Sequence, residues 1–217
     1  MHGDWRDVAA FLLKALVISL SGVMAPGPVT AATVAAGTRQ RHAGGLIALG
    51  HGAVELPLAV LILLGVGRVF RLEMVKIGIG LVGGGFLLLM GGQMLAGLGK
   101  GQTAAAPAGG RHPFWTGVIL SGGNPYFLLW WATIGLALAT QAAGFGLAGF
   151  ALFALVHWLC DLAWLEALSW ATFKGSALLG GRPQKVVLAV CAAALLVFGV
   201  MFIYAAAGKL LAGGAGN

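Results

Sequence analysis

Residues 77–98 form an apolar segment of 22 residues that contains no charged side chain. As a helix, this segment measures about 33 Å, which is enough to cross the hydrocarbon core of a bilayer. Other apolar segments divide the rest of the chain, at residues 8–25 with a continuation over 29–37, and at 44–67, 114–139, 146–173 and 186–211. Their number and length predict a chain that spans a membrane six times.

The composition also favours a membrane protein. Charged residues make up 9% of the chain and apolar residues 59%, whereas a soluble domain has about a quarter charged residues. The 13 basic residues exceed the 6 acidic ones, but they stand singly or in pairs between apolar segments, which does not indicate a nucleic-acid partner. No cofactor is expected, because the glycines at 83–85 lack the Lys-Ser/Thr of a phosphate loop and the two cysteines form no paired spacing.

The spans are expected to be helical, because backbone groups in lipid must be hydrogen-bonded within their own segment and the sequence shows no barrel pattern. We expect the N-terminal segment to stay as the first helix, since Asp4 and Asp7 beside Arg6 do not form the cationic start of a signal peptide. The sequence therefore predicts an all-α integral membrane protein with one transmembrane domain over residues 1–217, crossing the inner or plasma membrane several times.

The chain divides into two halves of three spans, about residues 1–98 and 114–217, joined by a Gly-, Ala- and Pro-rich linker at 99–113. The first span of each half is broken, by Pro26-Gly27-Pro28 in one half and by Gly122-Gly123-Asn124-Pro125 in the other. Because three is an odd number, the halves enter the membrane with opposite polarity, which is typical of inverted-repeat transporters. Helix breaks leave backbone groups free near the midplane, where a substrate's charged groups can bind.

Each half also contains a histidine with an acid four residues later, His51 with Glu55 and His157 with Asp161. Residues four apart lie on one face of a helix. An acid inside the membrane indicates a functional site, because exposing its charge to lipid is costly. Such a pair can also be a hydrogen bond that only satisfies itself within the bundle, but its presence in both halves favours a function.

Three further side chains are of interest. Glu166 lies about 140° around the helix from Asp161, so it is expected to pair with Lys174 or to lie near an interface. Trp130 and Trp131 directly follow the second break. They could line a substrate cavity, although tryptophans of membrane proteins more often belong to the interfacial belts.

Four stretches resemble a known family. They are Met24-Ala-Pro-Gly-Pro-Val-Thr30, Gly37-Thr-Arg-Gln-Arg-His-Ala-Gly44, Gly50-His-Gly-Ala-Val-Glu55 and Asn124-Pro125. They are similar to the first span, the cytoplasmic basic loop, the acidic second span and the second motif of the lysine exporter (LysE/RhtB) family. The resemblance implies export of a small amino acid or similar solute, driven by the proton motive force, with Arg39 and Arg41 on the cytoplasmic side. Three departures leave the substrate open: Glu55 replaces the usual Asp, Trp130 stands near a place where some members have Asp, and His51 is not expected of the family.

The leading hypothesis is a secondary active exporter of amino acids or related small solutes. In this hypothesis the two helix breaks form the site, a half-helix end receives the substrate carboxylate, and Glu55 or Asp161 holds the amine or exchanges a proton. The partners are a small-molecule substrate and the lipid bilayer, with a homo-oligomer left open. The candidate substrate- or ion-binding residues are Pro26, Gly27, Pro28, Thr30, His51, Glu55, Asn124, Pro125, His157 and Asp161.

Two alternatives belong to other classes. The two His–acid pairs, with Cys160 next to Asp161, could bind a divalent transition metal as the exported cation. An intramembrane enzyme would need a nucleophile and a base in contact, for which Ser121 and His157 are the candidates. Ile119 stands where an intramembrane serine protease would have glycine, and this disfavours the enzyme. A thiol electron carrier built on the two cysteines has equally little support.

Overall fold

The structure, a computed structural model, describes residues 5–99, 112–179 and 182–214. Every element in these ranges is helical, as the sequence predicted. Five segments of the described residues are long and apolar enough to cross a membrane, and the number is six if a bent pair of helices at the N-terminus counts as one span. The protein is therefore a multi-pass α-helical membrane protein. Most of the predicted linker at 99–113 lies outside the described residues.

The first half of the chain contains three spans. The first is α1 (Trp5–Val23) with α2 (Pro28–Gly37), the second is α3 (Ala43–Leu61) with a π-helical stretch (Ile62–Val66) and α4 (Gly67–Arg71), and the third is α5 (Glu73–Gly99). The axes of α1 and α2 differ by 73°. The second span bends at Gly65, whose φ of 100° is a conformation that favours glycine.

The second half has the same number of spans. Its first span is α6 (Pro113–Gly122), α7 (Pro125–Trp130), a π-helical stretch (Trp131–Gly135) and α8 (Leu136–Gly144). Two long helices follow, α9 (Gly146–Leu179) and α10 (Arg182–Gly214). The predicted interruption between 122 and 125 is thus confirmed, since α6 ends and α7 begins on either side of it.

Proline and a capping residue explain the start of the helix after each break. Pro28 and Pro125 each occupy the first turn, where a missing N–H is not needed. At the second break, the Asn124 side chain accepts a hydrogen bond from the Tyr126 N–H at 3.1 Å. At the first break, the Thr30 hydroxyl donates to the Ala25 carbonyl at 3.2 Å. At each break, a side chain therefore forms a hydrogen bond with a backbone group that the interruption of the helix leaves free.

The helices of the two halves pack in matching pairs. Helix α3 packs against α9, and α5 forms the most extensive pair with α10. Helix α3 also packs against α6 of the other half, and α9 packs against α1 and α2. Helix α7 contacts α5, and α2 contacts α10. Two structurally related halves would make such equivalent contacts. We therefore propose that the chain divides into two halves at the linker.

Glycines allow the helices around α3 to approach closely. A Cβ atom on Gly50 of α3 would lie 1.9 Å from the Phe114 carbonyl oxygen of α6. A Cβ atom on Gly117 of α6 would lie 2.1 Å from the Ile47 carbonyl oxygen of α3. On the other side of α3, a Cβ atom on Gly44 would lie 1.9 Å from a backbone oxygen of α9. Helix α3 is therefore held between α6 and α9 by contacts that only glycine permits.

The Gly50→Ala substitution tests this packing. The added methyl group meets backbone rather than a flexible side chain, so α3 and α6 must separate, and overpacking of this kind typically costs about 1–3 kcal/mol. We expect a lower melting temperature for the purified protein in detergent. Gly85→Ala on α5 is the matched control, because its Cβ atom would meet nothing within 4 Å. Equal melting temperatures for both variants would contradict the proposed close contact.

Candidate functional site

A cavity of about 80 Å³ lies where the two helix breaks meet. Eight of the ten candidate residues line it: Gly27, Pro28, Thr30, His51, Glu55, Asn124, His157 and Asp161. Pro26 and Pro125 are not among its lining residues. Pro125 instead packs against α5, where a Cβ atom on Gly83 would lie 2.2 Å from the proline Cβ.

The two His–acid pairs meet in one buried group, which we call the His–acid cluster: His51, Glu55, His157 and Asp161. The His51 Nε2 atom lies 3.4 Å from Glu55 Oε1 and 3.6 Å from Asp161 Oδ1. The His157 Nε2 atom lies 3.0 Å from Glu55 Oε1 and 4.0 Å from Asp161 Oδ2. All four residues are at most 7% exposed. Each imidazole thus faces both carboxylates, and the cluster joins α3 to α9.

A serine from a broken span of the opposite half holds each imidazole. His51 Nδ1 lies 2.6 Å from Ser121 Oγ, and His157 Nδ1 lies 2.7 Å from Ser19 Oγ. The Ser121 hydroxyl donates its hydrogen to the Gly117 carbonyl at 2.6 Å, so its oxygen accepts from the N–H at His51 Nδ1. This bond fixes the orientation of the ring and leaves Nε2 free to face the carboxylates.

The carboxylates of the cluster are only partly satisfied. The Trp131 indole N–H donates to Glu55 Oε1 at 3.2 Å. Within the described part of the chain, Glu55 Oε2 and Asp161 Oδ2 have no hydrogen-bond partner. Buried oxygens without a partner are unfavourable and uncommon. Their position beside a cavity is what a bound cationic group would satisfy.

Aromatic rings enclose the histidines. The Trp130 ring stacks on His157 with 4.7 Å between centroids, and the Trp131 ring meets the same imidazole edge-on at 5.5 Å. Phe127 lies edge-on to His51 at 5.1 Å. Trp130 and Trp131 both line the cavity, although the sequence favoured the interfacial belts for tryptophans. Trp131 also begins a π-helical stretch, a feature often found at functional sites.

The enzyme alternative required a contact that the structure does not contain. Ser121 lies against His51, whereas His157 lies against Ser19. The predicted pairing of Ser121 with His157 is therefore wrong. The Ser121 hydroxyl also donates to a backbone carbonyl rather than to a base.

Glu166 lies apart from the cavity and has a different partner from the one expected. It pairs with the His42 ring and accepts the Gly45 N–H at 2.8 Å. Lys174 instead lies over the ring of Trp170, 3.9 Å from its centroid. The predicted Glu166–Lys174 pair is therefore wrong. Glu166 fastens the start of α3 to α9 outside the cluster.

Sequence reasoning missed Ser19 and the anchoring role of Ser121. Both are fully buried and stand shortly before a break in an otherwise apolar span. A serine in the apolar segment before each break was the signal that could have found them. Cys160, which the metal alternative included, is buried but does not line the cavity.

The family model for the LysE type translocator matches residues 20–206. The chain belongs to the LysE type translocator family. The matched region contains both breaks, Ser121 and the whole His–acid cluster, and it begins one residue after Ser19. Members of this translocator family are transporters rather than enzymes. Searches of curated proteins and of solved structures gave no match.

Removal of one anchor tests the geometry of the cluster. Ser121→Ala leaves the buried N–H of His51 Nδ1 without its acceptor, which costs about 1–3 kcal/mol. We expect a lower melting temperature for this variant and for Ser19→Ala. Ser21→Ala is the control, because Ser21 is exposed and its hydroxyl bonds only to the Ile18 carbonyl of its own helix. If Ser121→Ala melts like Ser21→Ala, the serine does not anchor the imidazole.

Proposed function

We propose that the protein is a secondary active exporter of small amino acids or related small solutes in the cell membrane, coupled to the proton motive force. The observation that carries this proposal is the His–acid cluster, a group of four buried titratable residues in the cavity where both helix breaks meet. Titratable groups inside a membrane bundle typically mark substrate or proton pathways. Membership of a translocator family supports the same conclusion.

The cavity offers groups for both charges of an amino acid. The first bond within α2 runs from the Ala31 N–H to the Gly27 carbonyl at 2.9 Å. The N–H groups of Val29 and Thr30 precede it and stand at the positive end of a helix, which favours a carboxylate. The unpartnered oxygens of Glu55 and Asp161 favour an amine. Both sets of residues line the same cavity.

The size of the cavity supports a small substrate. Its volume of about 80 Å³ is several times the space of roughly 10–15 Å³ that one water needs. It is well below the roughly 300–1,000 Å³ of pockets for drug-sized ligands. An amino acid with a short side chain fits this range better than one with a long cationic side chain.

The position of the cluster between the halves supports coupling to protons. Glu55 of α3 contacts His157 of α9, and Asp161 of α9 faces His51 of α3. Protonation of a carboxylate removes the charge that holds it against the imidazole of the other helix. A proton taken up at the cluster would therefore weaken the α3–α9 contact and favour rocking of one half against the other.

A divalent transition-metal cation is the second candidate substrate. The observation that favours it is the short separation of possible ligand atoms: those of His51, Glu55 and Asp161 all lie within 4.8 Å of one another. An exported metal would occupy the same cavity as an amino acid. The transport assay below therefore includes both substrate classes.

Purified protein in liposomes, with an imposed pH gradient, tests the proposal directly. A panel of labelled amino acids and divalent metals is offered, and accumulation inside the liposomes is measured. We expect accumulation of a small zwitterionic amino acid that disappears when a protonophore collapses the gradient. Movement of metals alone would overturn the amino-acid proposal in favour of the second candidate. Movement of neither by folded protein would overturn both.

The Glu55→Gln substitution tests most directly whether transport is coupled to protons. The amide keeps the shape of the side chain but has no charge to exchange with a proton, so we expect gradient-driven transport to fall by at least 10-fold, about 1.4 kcal/mol. Glu73→Gln is the control, because Glu73 is exposed at the start of α5 and pairs with Lys209 of α10. Gradient-driven transport at the wild-type rate by a folded Glu55→Gln variant would show that Glu55 is structural.

A further inference from the structure

We propose that the His–acid cluster binds one divalent transition-metal ion in a roughly tetrahedral N₂O₂ set, with Zn²⁺ as the best-fitting ion. The ligands are Nε2 of His51, Nε2 of His157, and one carboxylate oxygen each from Glu55 and Asp161. The binding itself does not depend on the transport proposal. Only the idea that the ion is exported, which is the second candidate above, rests on the proposed transport function.

The spacing of the four groups fits an ion at their centre. Zinc binds histidine nitrogen and carboxylate oxygen at about 2.0–2.2 Å, which places neighbouring ligands of a tetrahedron about 3.3–3.6 Å apart. The nitrogen–oxygen separations in the cluster are 3.0 and 3.4 Å to Glu55 Oε1, 3.6 Å to Asp161 Oδ1 and 4.0 Å to Asp161 Oδ2. Three of them exceed the usual hydrogen-bond range of about 2.7–3.2 Å. His157 pairs directly with Glu55, whereas the ligand atoms of His51, Glu55 and Asp161 all lie within 4.8 Å of one another, as the ligands of one ion do.

The histidines are oriented as metal ligands usually are. A histidine that binds a metal through one ring nitrogen typically donates the N–H of the other nitrogen to a neighbouring acceptor. Ser121 Oγ is that acceptor for His51, at 2.6 Å from Nδ1. Ser19 Oγ occupies the equivalent place for His157, at 2.7 Å. Both Nε2 atoms are consequently directed at the same two carboxylates.

Charge balance gives an independent argument. Two carboxylates carry a charge of −2, and a buried charge must be paired. Within the described residues, Glu55 Oε2 and Asp161 Oδ2 lack a hydrogen-bond partner. One divalent cation with two neutral imidazoles makes the set neutral. It also gives both carboxylates a cationic partner, a role that two protonated imidazoles would fill without the ion.

The donor atoms decide the class of metal. Imidazole nitrogen suits Zn²⁺, Co²⁺, Ni²⁺ and Cu²⁺, whereas Ca²⁺ and Mg²⁺ prefer sites made of oxygen with six or more ligands. Soft ions such as Cu⁺ prefer sulfur. The adjacent Cys160 does not line the cavity, so the set contains no thiolate. A borderline divalent ion is therefore the expected occupant.

Cobalt provides a direct test of both binding and geometry. Metal-free purified protein is titrated with Co²⁺, and the visible absorption of the ion is recorded. We expect one equivalent of Co²⁺ to give the intense d–d bands of four-coordinate cobalt, and one equivalent of Zn²⁺ to abolish them. Weak bands typical of six-coordinate cobalt, or no saturable binding, would overturn the proposal.

Substitutions in the His–acid cluster test whether the Co²⁺ absorption comes from the proposed site. Asp161→Asn and Glu55→Gln each remove one charged ligand with little change in shape, and each should weaken Co²⁺ binding by at least 10-fold. Ser121→Ala removes only the partner of His51 Nδ1, and loss of such a partner typically lowers metal affinity by about 10–100-fold. Unchanged affinity in both carboxylate variants would overturn the site. Zn²⁺ should also raise the melting temperature of the wild type more than that of Asp161→Asn, so a variant that folds poorly still gives a readout.

Two controls carry a similar change outside the cluster. Glu166→Gln disrupts the other His–acid contact, that with His42, and should leave Co²⁺ binding unchanged. Cys160→Ser should also leave it unchanged, because the thiol is not a ligand. Loss of binding in Cys160→Ser would overturn the proposed N₂O₂ set.

The liposome assay separates this inference from the transport proposal. Cobalt binding that depends on Asp161 supports the metal site whichever solute is transported. Amino-acid transport by protein that binds no Co²⁺ overturns the metal site and supports the transport proposal. Accumulation of Zn²⁺ that Asp161→Asn abolishes supports both the site and the role of the cation as cargo.

Discussion

The unfavourable burial of a carboxylate in a lipid-embedded bundle governs the arrangement of this protein. Glu55 is 2% exposed, and an unpaired charge at such a place is strongly disfavoured. Two imidazoles and the indole N–H of Trp131 surround one of its oxygens. Because these partners come from three different spans, the stability of Glu55 depends on the bundle being assembled. The His–acid cluster in turn joins α3 to α9 within the bundle.

Close helix packing makes that polar group achievable. Gly50 and Gly117 let α3 and α6 approach until backbone meets backbone. Ser121 lies one turn beyond Gly117 and donates to its carbonyl, so the same close approach brings the serine to His51. A methyl group added at the α3–α6 contact would therefore displace Ser121, which holds the His51 imidazole, as well as the helix.

The helix breaks add the second half of the site. Residues of both breaks line the same cavity as the His–acid cluster. Because Glu55 and Asp161 each face a histidine on the other helix, the occupant of the cluster affects the contact between α3 and α9. A proton, an amine or a metal ion would each change that contact. Under the proposed function, control of this helix interface would lie at the substrate site, as alternating access requires.

The sequence by itself determined the spans, the two breaks and the His–acid pairs, because each depends on local properties. These are the length of an apolar segment, the missing N–H of proline and the four-residue spacing along one helix face. Only the tertiary structure decided which partners meet. His51 binds a serine 70 positions away, His157 one 138 positions away, and Glu166 pairs with His42 instead of the nearby Lys174. Residue spacing reports the face of a single helix, whereas these contacts depend on how close and at what angle separate helices pack.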